Sequence, residues 1–593
     1  MRFLIVIYGF LFCSGMFAQE DIIAKEYFKN GEFEKALLAY QKLHSKNPLN
    51  INNTLALVET YQQLKQYPEA QTLLEQTLTQ TNYPAFYVEL GYNFELQNNN
   101  TKAEENYNIA YTSIDANPNY VFSVAKSFQT HSLLDWAIKS YEKAMANNDN
   151  LNFNMQLAQI YGEQGDVEKM FVSYTNFLEK NPTYVDEIKR AFSEFLHENG
   201  SDPNNVMLRK ILLKKIQQQP DLLWNDLLSW LFIQQKEFNK AFAQEKAIYN
   251  RQPESLDRII DLAEITVKDH DLEMATTIYD YIIDTAQDTD TKLEAYYNLL
   301  QLKTTQASTK DYYAIKQEYR SLFDTYGQQT QTLQLQIAYA HFLAFTEHSP
   351  DQAEQALKHC LSLSLNEQQT AQVKLELADI LVLQEKFNEA LIYYTQIQRN
   401  LKNSTISQEA RFRVARTSYF KGDFKWAESQ LNILKSSTSQ LIANDALELK
   451  LLISDNKYED STQTALKQYA KADLLAYQNK IPEAITVLDS VLKHHSQEPI
   501  AEQALYKQAQ LLELQKDYTL AENNYNTLLT SHTNSLLLDD AYFALAQLYN
   551  NHLEQPEKAK PLYEYIIFNF TDSIYFVEAR KQYRSLRGDT LSE

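Results

Sequence analysis

Between Asp21 and Leu49 the chain reads DIIAKEYFKNGEFEKALLAYQKLHSKNPL, with apolar residues at helical spacing on both sides of a turn. Ala24 and Tyr27 lie one turn apart, Asn30-Gly31 breaks the run, and Ala36, Tyr40 and Leu43 follow at steps of four and three on one face of a second helix. Pro48 ends that helix. The pattern then recurs in register. Ala36 returns as Ala70, Ala103, Ala137 and Met170, at steps of 34, 33, 34 and 33. Tyr27 returns as Tyr61, Phe94, Phe128 and Tyr161, Tyr40 as Leu74, Tyr107, Tyr141 and Tyr174, and Ala24 as Val58, Gly91, Ala125 and Ala158. Four columns moving together predict a series of helix hairpins. Antiparallel helices approach to about 8–10 Å only where the contact residues are small, so the Ala24 and Ala36 columns mark the close contacts and the Tyr27 and Tyr40 columns fill the space beside them. One hairpin cannot bury its apolar face alone, and stacked hairpins build a continuous, superhelical core.

After His197–Asn205 the register weakens. A helix is expected around Asn205–Gln218, and Ala241 and Ala275, 34 apart, mark a degenerate pair in which Glu245 takes an aromatic position. Lys292–Tyr326 reads as longer helices without the motif. From about Thr332 the repeat resumes with a longer step: Ala390 and Ala427 are 37 apart, and Ala484, Ala521 and Ala559 follow one another by 37 and 38. The gap of 57 between Ala427 and Ala484 leaves room for an extra helix, with Asn444–Ile453 the candidate, flanked by the polar stretches Ser436–Gln440 and SDNKYEDST. The expected organisation is therefore a leader at residues 1–18, a first array at 19–200, a connecting helical region at 201–330 and a second array at 331–593.

The small residue, the aromatic three later, the small-x3-aromatic of the second helix and the prolines Pro48, Pro118, Pro182 and Pro253 resemble the tetratricopeptide repeat family, although the family's first-helix tryptophan is missing from most copies. The resemblance implies an all-α fold, a right-handed α/α superhelix whose first helices line a concave groove for partner proteins. Applied here, the family's groove positions are Phe412, Arg416 and Tyr419, then Tyr469, Asp473 and Tyr477, then Tyr506, Gln510 and Glu513. The equivalent N-terminal positions are Asp21, Lys25 and Phe28, then Leu55, Glu59 and Gln62, then Val88, Tyr92 and Glu95. Asp21 and Lys25 stand where relatives that clamp a C-terminal carboxylate have Lys and Asn, so that recognition is not expected. The last hundred residues partly resemble the longer repeats of periplasmic cell-division coordinators and outer-membrane assembly lipoproteins. Phe570-Thr571-Asp572-Ser573 lacks the linking proline of those proteins.

Composition narrows the picture further. Only 10 Gly and 13 Pro in 593 residues disfavour tight β-hairpins. A formal charge of −22 argues against nucleic acid, whose phosphates need clustered Lys and Arg. Met1-Arg2, the apolar run FLIVIYGFLFCSGMFA and a small-residue exit at Ala18 read as a secretory signal, shorter than the roughly 20 residues that span a bilayer. An exported, periplasmic or envelope-associated mature chain is expected. Phe12 before Cys13 departs from a lipid-attachment motif. With the leader gone Cys360 has no partner for a disulfide, and it is expected to be a buried helix residue. Arg580, Lys581, Arg584 and Arg587 are cations at the end of an acidic chain, suited to a helix C-terminus, and Arg587-Gly588-Asp589 is read as coincidence.

No catalytic constellation stands out. HExxH, Gly-x-Ser-x-Gly and phosphate-loop patterns are missing. Ser140-Tyr-Glu-Lys143 falls across a repeat helix. The four Trp (136, 224, 230 and 426) do not sit beside loop carboxylates as an α/α-toroid glycan hydrolase requires. The expected role is a non-enzymatic, cofactor-free interaction scaffold, with an accessory role in outer-membrane assembly or peptidoglycan machinery as the alternative and an α/α-toroid hydrolase as the minor one.

Overall fold

The computed structural model describes residues 21–434, 439–456 and 463–589. Expectations for residues 1–18 and for most of the two polar stretches flanking Asn444–Ile453 lie outside them. Every regular element among the described residues is helical, and the chain forms two units that divide between Thr266 and Val267.

In the first unit the hairpins follow the small columns. Ala24, Ala36, Val58, Ala70, Ala125, Ala137 and Ala158 are wholly buried. The closest approach is at Gly91, where a Cβ would lie 2.4 Å from Tyr107 Cε1 and 3.0 Å from the Ala103 carbonyl. Glycine there is a packing requirement, since it sits within the Ala85–Glu95 helix. Trp136 stacks on Phe128 with centroids 5.7 Å apart. Ser140 is buried, and Lys143 reaches across to Asp115 at 2.6 Å. The Asn205 helix runs Pro203–Gln218. Glu245 is buried in its aromatic slot because Ser229 donates to it at 2.5 Å and Arg258 at 2.7 and 2.9 Å.

A backbone feature marks each turn between paired helices. Gly31, Lys65, Asn98, Ser132 and Gly165 all have positive φ, and they step by 34, 33, 34 and 33, in register with the alanines. In the second unit Glu385, Gly422, Asn479, Lys516 and Glu554 do the same. The left-handed residue is imposed by the hairpin geometry rather than by a glycine, which is why the turns are legible in the sequence only at Gly31, Gly165 and Gly422.

The second unit opens with the helix Leu272–Thr285, continues with two longer helices, Thr289–Gln306 and Tyr312–Tyr326, and then forms its array. Its helices are α1 (Leu333–His341), α2 (Pro350–Cys360), α3 (Glu367–Leu383), α4 (Phe387–Asn400), α5 (Thr405–Phe420), α6 (Phe424–Leu434), α7 (Gln440–Asn456), α8 (Thr464–Tyr477), α9 (Ile481–His494), α10 (Ile500–Leu514), α11 (Tyr518–Ser531), α12 (Leu538–Asn551), α13 (Pro556–Asn569) and α14 (Phe576–Arg587). A five-residue π segment, Phe342–Thr346, prolongs α1, which accounts for the extra residue between Ala340 and Ala353 relative to the spacing of 12 between Ala378 and Ala390. The insertion is α7. It is not a rung of the ladder, because α5 bonds directly to α8: the Tyr419 hydroxyl donates to Asp473 at 2.8 Å. One side of α7, with Ala446 and Ile453 buried, packs on the core that holds Tyr419, Leu431 and Tyr469. Cys360 is buried at the end of α2, its Sγ 3.3 Å from Gln336 Oε1, and burial pushes the thiol up to about 11.

Candidate partner-binding face

First helices α1, α3, α5, α8 and α10 each place one residue directly after the small column, and these form a line: His341, Asp379, Arg416, Asp473 and Gln510. The line alternates in chemistry, and most of it is bonded within the molecule. Asp379 is the centre. Tyr394 donates to its Oδ1 at 2.5 Å, Arg413 approaches Oδ2 at 3.5 Å and Arg416 approaches Oδ1 at 3.9 Å. Burial pushes the Asp379 carboxyl up, against the opposing pull of the two guanidiniums and the tyrosine hydroxyl. The Tyr477 hydroxyl donates to the Asp379 carbonyl at 3.3 Å, and the Gln478 amide donates to the Leu383 carbonyl at 3.0 Å.

Aromatic rings seal the same place. Arg416 lies over the Tyr477 ring at 4.9 Å and over Phe420 at 6.0 Å. Phe345, from the π segment, meets Tyr477 edge-on at 5.6 Å and stacks on His341 at 4.5 Å. Burial pulls the His341 imidazole down, but the hydrogen bond and charge of Glu376, 2.9 Å away, together with Asp379, outweigh burial and Arg413. His341 therefore sits above its ordinary value. Side chains from α1, α3, α5 and α8 thus converge on a point where an open groove was expected.

The candidate residues divide accordingly. Tyr419 and Tyr469 are core residues, 1% and 5% exposed. Phe412 is half-buried against the same cluster. Arg416, Asp473 and Tyr477 are brought together with Tyr419, and Asp473 also holds Lys507 at 3.0 Å. Tyr506 and Gln510 stand apart. Tyr506 is half-buried beside Tyr525, centroids 5.9 Å apart, and burial with the nearby Asp540 pushes its hydroxyl up to about 12. Gln510 is exposed.

Around these two the surface is acidic. Burial raises Glu513 against a hydrogen bond from Tyr525, and raises Asp540 against one from Tyr575 at 2.8 Å. Glu448, on the inserted α7, is raised by its surroundings and by Asp445, Asp540 and Asp473, with Lys507 opposing. Its carboxylate is therefore in electrostatic reach of α8, α10 and α12 at once.

Asp379, Tyr394, Arg413 and His341 were missed as site residues. Asp379 and His341 follow Ala378 and Ala340 directly, so extending the column two repeats earlier finds them. Nothing in the sequence signals that α8 closes on α3. In the first unit, Glu89 accepts from Ser127 at 2.5 Å and pairs with His131 at 2.8 Å, and Tyr92 stacks on His131 at 3.8 Å. Tyr92 and Val88, two of the expected positions, are therefore packed within the array. Among the described residues no group of three or more His, Cys, Asp or Glu is placed to hold a metal.

Two stretches match tetratricopeptide repeat models, residues 27–85 and residues 469–535. The chain carries tetratricopeptide repeats. Such repeats are generally non-enzymatic protein-interaction modules, and they suggest protein partners. The second match covers α8 to α11, the part of the array that carries Tyr506 and Gln510. No curated protein matches the chain. Among solved structures it is similar to a chain of Naa15/Naa10 bound to HypK-THB, at 12% identity and TM-score 0.30, covering 96% of this chain and 97% of that one. It is also similar to a chain of the APC/C hetero-tetramer Cut9-Hcn1, at 12% identity and TM-score 0.26, covering 97% of each. At that level of superposition neither bears on function.

Proposed function

We propose that this protein is an exported scaffold that receives a basic segment of a partner protein on the inner face of its second unit, between α8 and α12. The observation that carries the reading is the division of the inner line. From His341 to Tyr477 the polar and aromatic groups are spent on one another, whereas Tyr506 and Gln510 remain accessible among Glu448, Glu513 and Asp540. Aromatic anchors beside adaptable polar groups suit an extended or helical polypeptide. Carboxylates held above their ordinary range gain most from a cationic partner, which would return them to the charged form.

The cell-envelope setting rests on the leader-like residues 1–18, and an accessory role in outer-membrane assembly or peptidoglycan machinery is the narrower version of the same reading. Fractionation with N-terminal sequencing tests it. A mature chain beginning at Gln19 in the envelope or periplasmic fraction is expected, and a chain retained with Met1 inside the cell contradicts it. Among the described residues no helix is long and apolar enough to cross a membrane.

A further inference from the structure

The last helix differs from the other first helices of its array. A first helix such as α10 serves two core clusters: Ile500, Ala504 and Leu511 face one, while Leu505, Ala509 and Leu512 face the next. In α14 only Ala579 is buried, with Tyr583 and Leu586 packed beside it. At 3.6 residues per turn, Val577, Arg580, Lys581, Arg584 and Arg587 share a sector of about 120° on the opposite side. Where α10 places Leu505, Ala509 and Leu512 for a neighbouring hairpin, this face has Arg580, Arg584 and Arg587, so it is not built for another repeat. Asp589 pairs with Arg584 and Arg587 at the helix end, leaving the row a net excess of positive charge on a chain of formal charge −22.

The connection into α14 is equally unusual. Phe568 is 74% exposed, Ile574 85% and Val577 76%. Single exposed apolar residues are ordinary, but three large ones within ten residues, next to a row of cations, are not. The intervening Tyr575 is stacked on Phe543 at 4.4 Å and bonded to Asp540, which fixes the segment against α12.

We propose that the α13–α14 connection and the outer face of α14 dock on an anionic lipid surface, with Phe568, Ile574 and Val577 entering the headgroup layer and Arg580 and Lys581 meeting lipid phosphates. Projecting apolar side chains beside a short basic row are the two signals that together hold a protein at a bilayer surface. An acidic polypeptide would satisfy the cations and leave the apolar tips in water.

The test uses the chain from Gln19 onward, the form left by the proposed leader cleavage, which retains every described helix. It is sedimented with vesicles of equal parts phosphatidylglycerol and phosphatidylcholine, with phosphatidylcholine alone, and titrated separately with poly-glutamate. Two variants are compared, Arg580→Glu with Lys581→Glu, and Phe568→Ser with Ile574→Ser. All four side chains are exposed, so both variants should keep the parent's melting curve. The expected result is binding to the anionic vesicles that falls roughly tenfold or more in each variant. No preference for anionic vesicles, or indifference to either variant, overturns the proposal. Binding to poly-glutamate without binding to vesicles overturns it as well and assigns the face to an acidic polypeptide.

Discussion

Gly91 and the left-handed turn residues show how much single positions carry. The Ala85–Glu95 helix meets Tyr107 so closely that a methyl group at Gly91 has no space. Tyr107 cannot swing away without losing its 2.6 Å hydrogen bond to Glu95. Gly91→Ala should therefore destabilise the first unit by about 1–3 kcal/mol, the range for overpacking a filled contact, although alanine is the better helix former. Chemical denaturation measures it, and an unchanged or raised midpoint would contradict the packing described here. Lys516 is the opposite case. It holds φ at 64° in a turn where its repeat neighbours include Gly422, and the left-handed region costs a side-chain-bearing residue about 1–2 kcal/mol. Lys516→Gly should raise stability, by less than that cost because glycine also loosens the unfolded chain. A lowered midpoint would mean that the turn geometry is not what limits this position.

Most of the hairpins were legible at the scale of the helix. The alanine columns located the paired helices of both arrays, because close approach leaves a small residue as its trace. Asn205–Gln218 and Asn444–Ile453, expected from polar flanks and apolar spacing, correspond to Pro203–Gln218 and α7. The aromatic columns were less informative, since a tyrosine at a groove position and a tyrosine in the core look alike in sequence. Tyr469 and Tyr477 point toward the inner face by register, yet one is under the cluster shared with α7 and the other is locked over Arg416. Which first helices touch beyond their immediate neighbours depends on the curvature of the stack, which no local pattern encodes.

The Asp379 cluster makes two predictions at this scale. Asp379→Ala should cost about 1–3 kcal/mol, because it leaves the Tyr394 hydroxyl buried without its acceptor and Arg413 with Glu409 alone as counter-charge. A loss below about 1 kcal/mol in denaturant titration would show that the ring of contacts does not hold the array. The second concerns His341. Its folded value is raised above the unfolded value of about 6.5, so its contribution is complete below that pH and is lost as the pH rises through the folded value. Stability should fall across the window just above pH 6.5, and His341→Gln should flatten that fall. Parallel pH profiles for parent and variant would reject the assignment to His341.

For the whole molecule, the central claim is that the repeats divide their inner residues between holding the second unit together and meeting a partner. Net charge fits that division. An acidic chain repels phosphate polymers and favours cationic polypeptide, with attraction that weakens as salt screens it. The most direct measurement is photo-crosslinking in living cells from a benzoylphenylalanine placed at Gln510, with a second probe at Ile392 on the outer helix α4, which is 58% exposed. A discrete protein adduct is expected from position 510, none from position 392, and loss of the adduct when Glu448, Glu513 and Asp540 are changed to their amides. An adduct from position 392 with none from position 510 would contradict that claim, and would place partner binding on the convex side of the repeats.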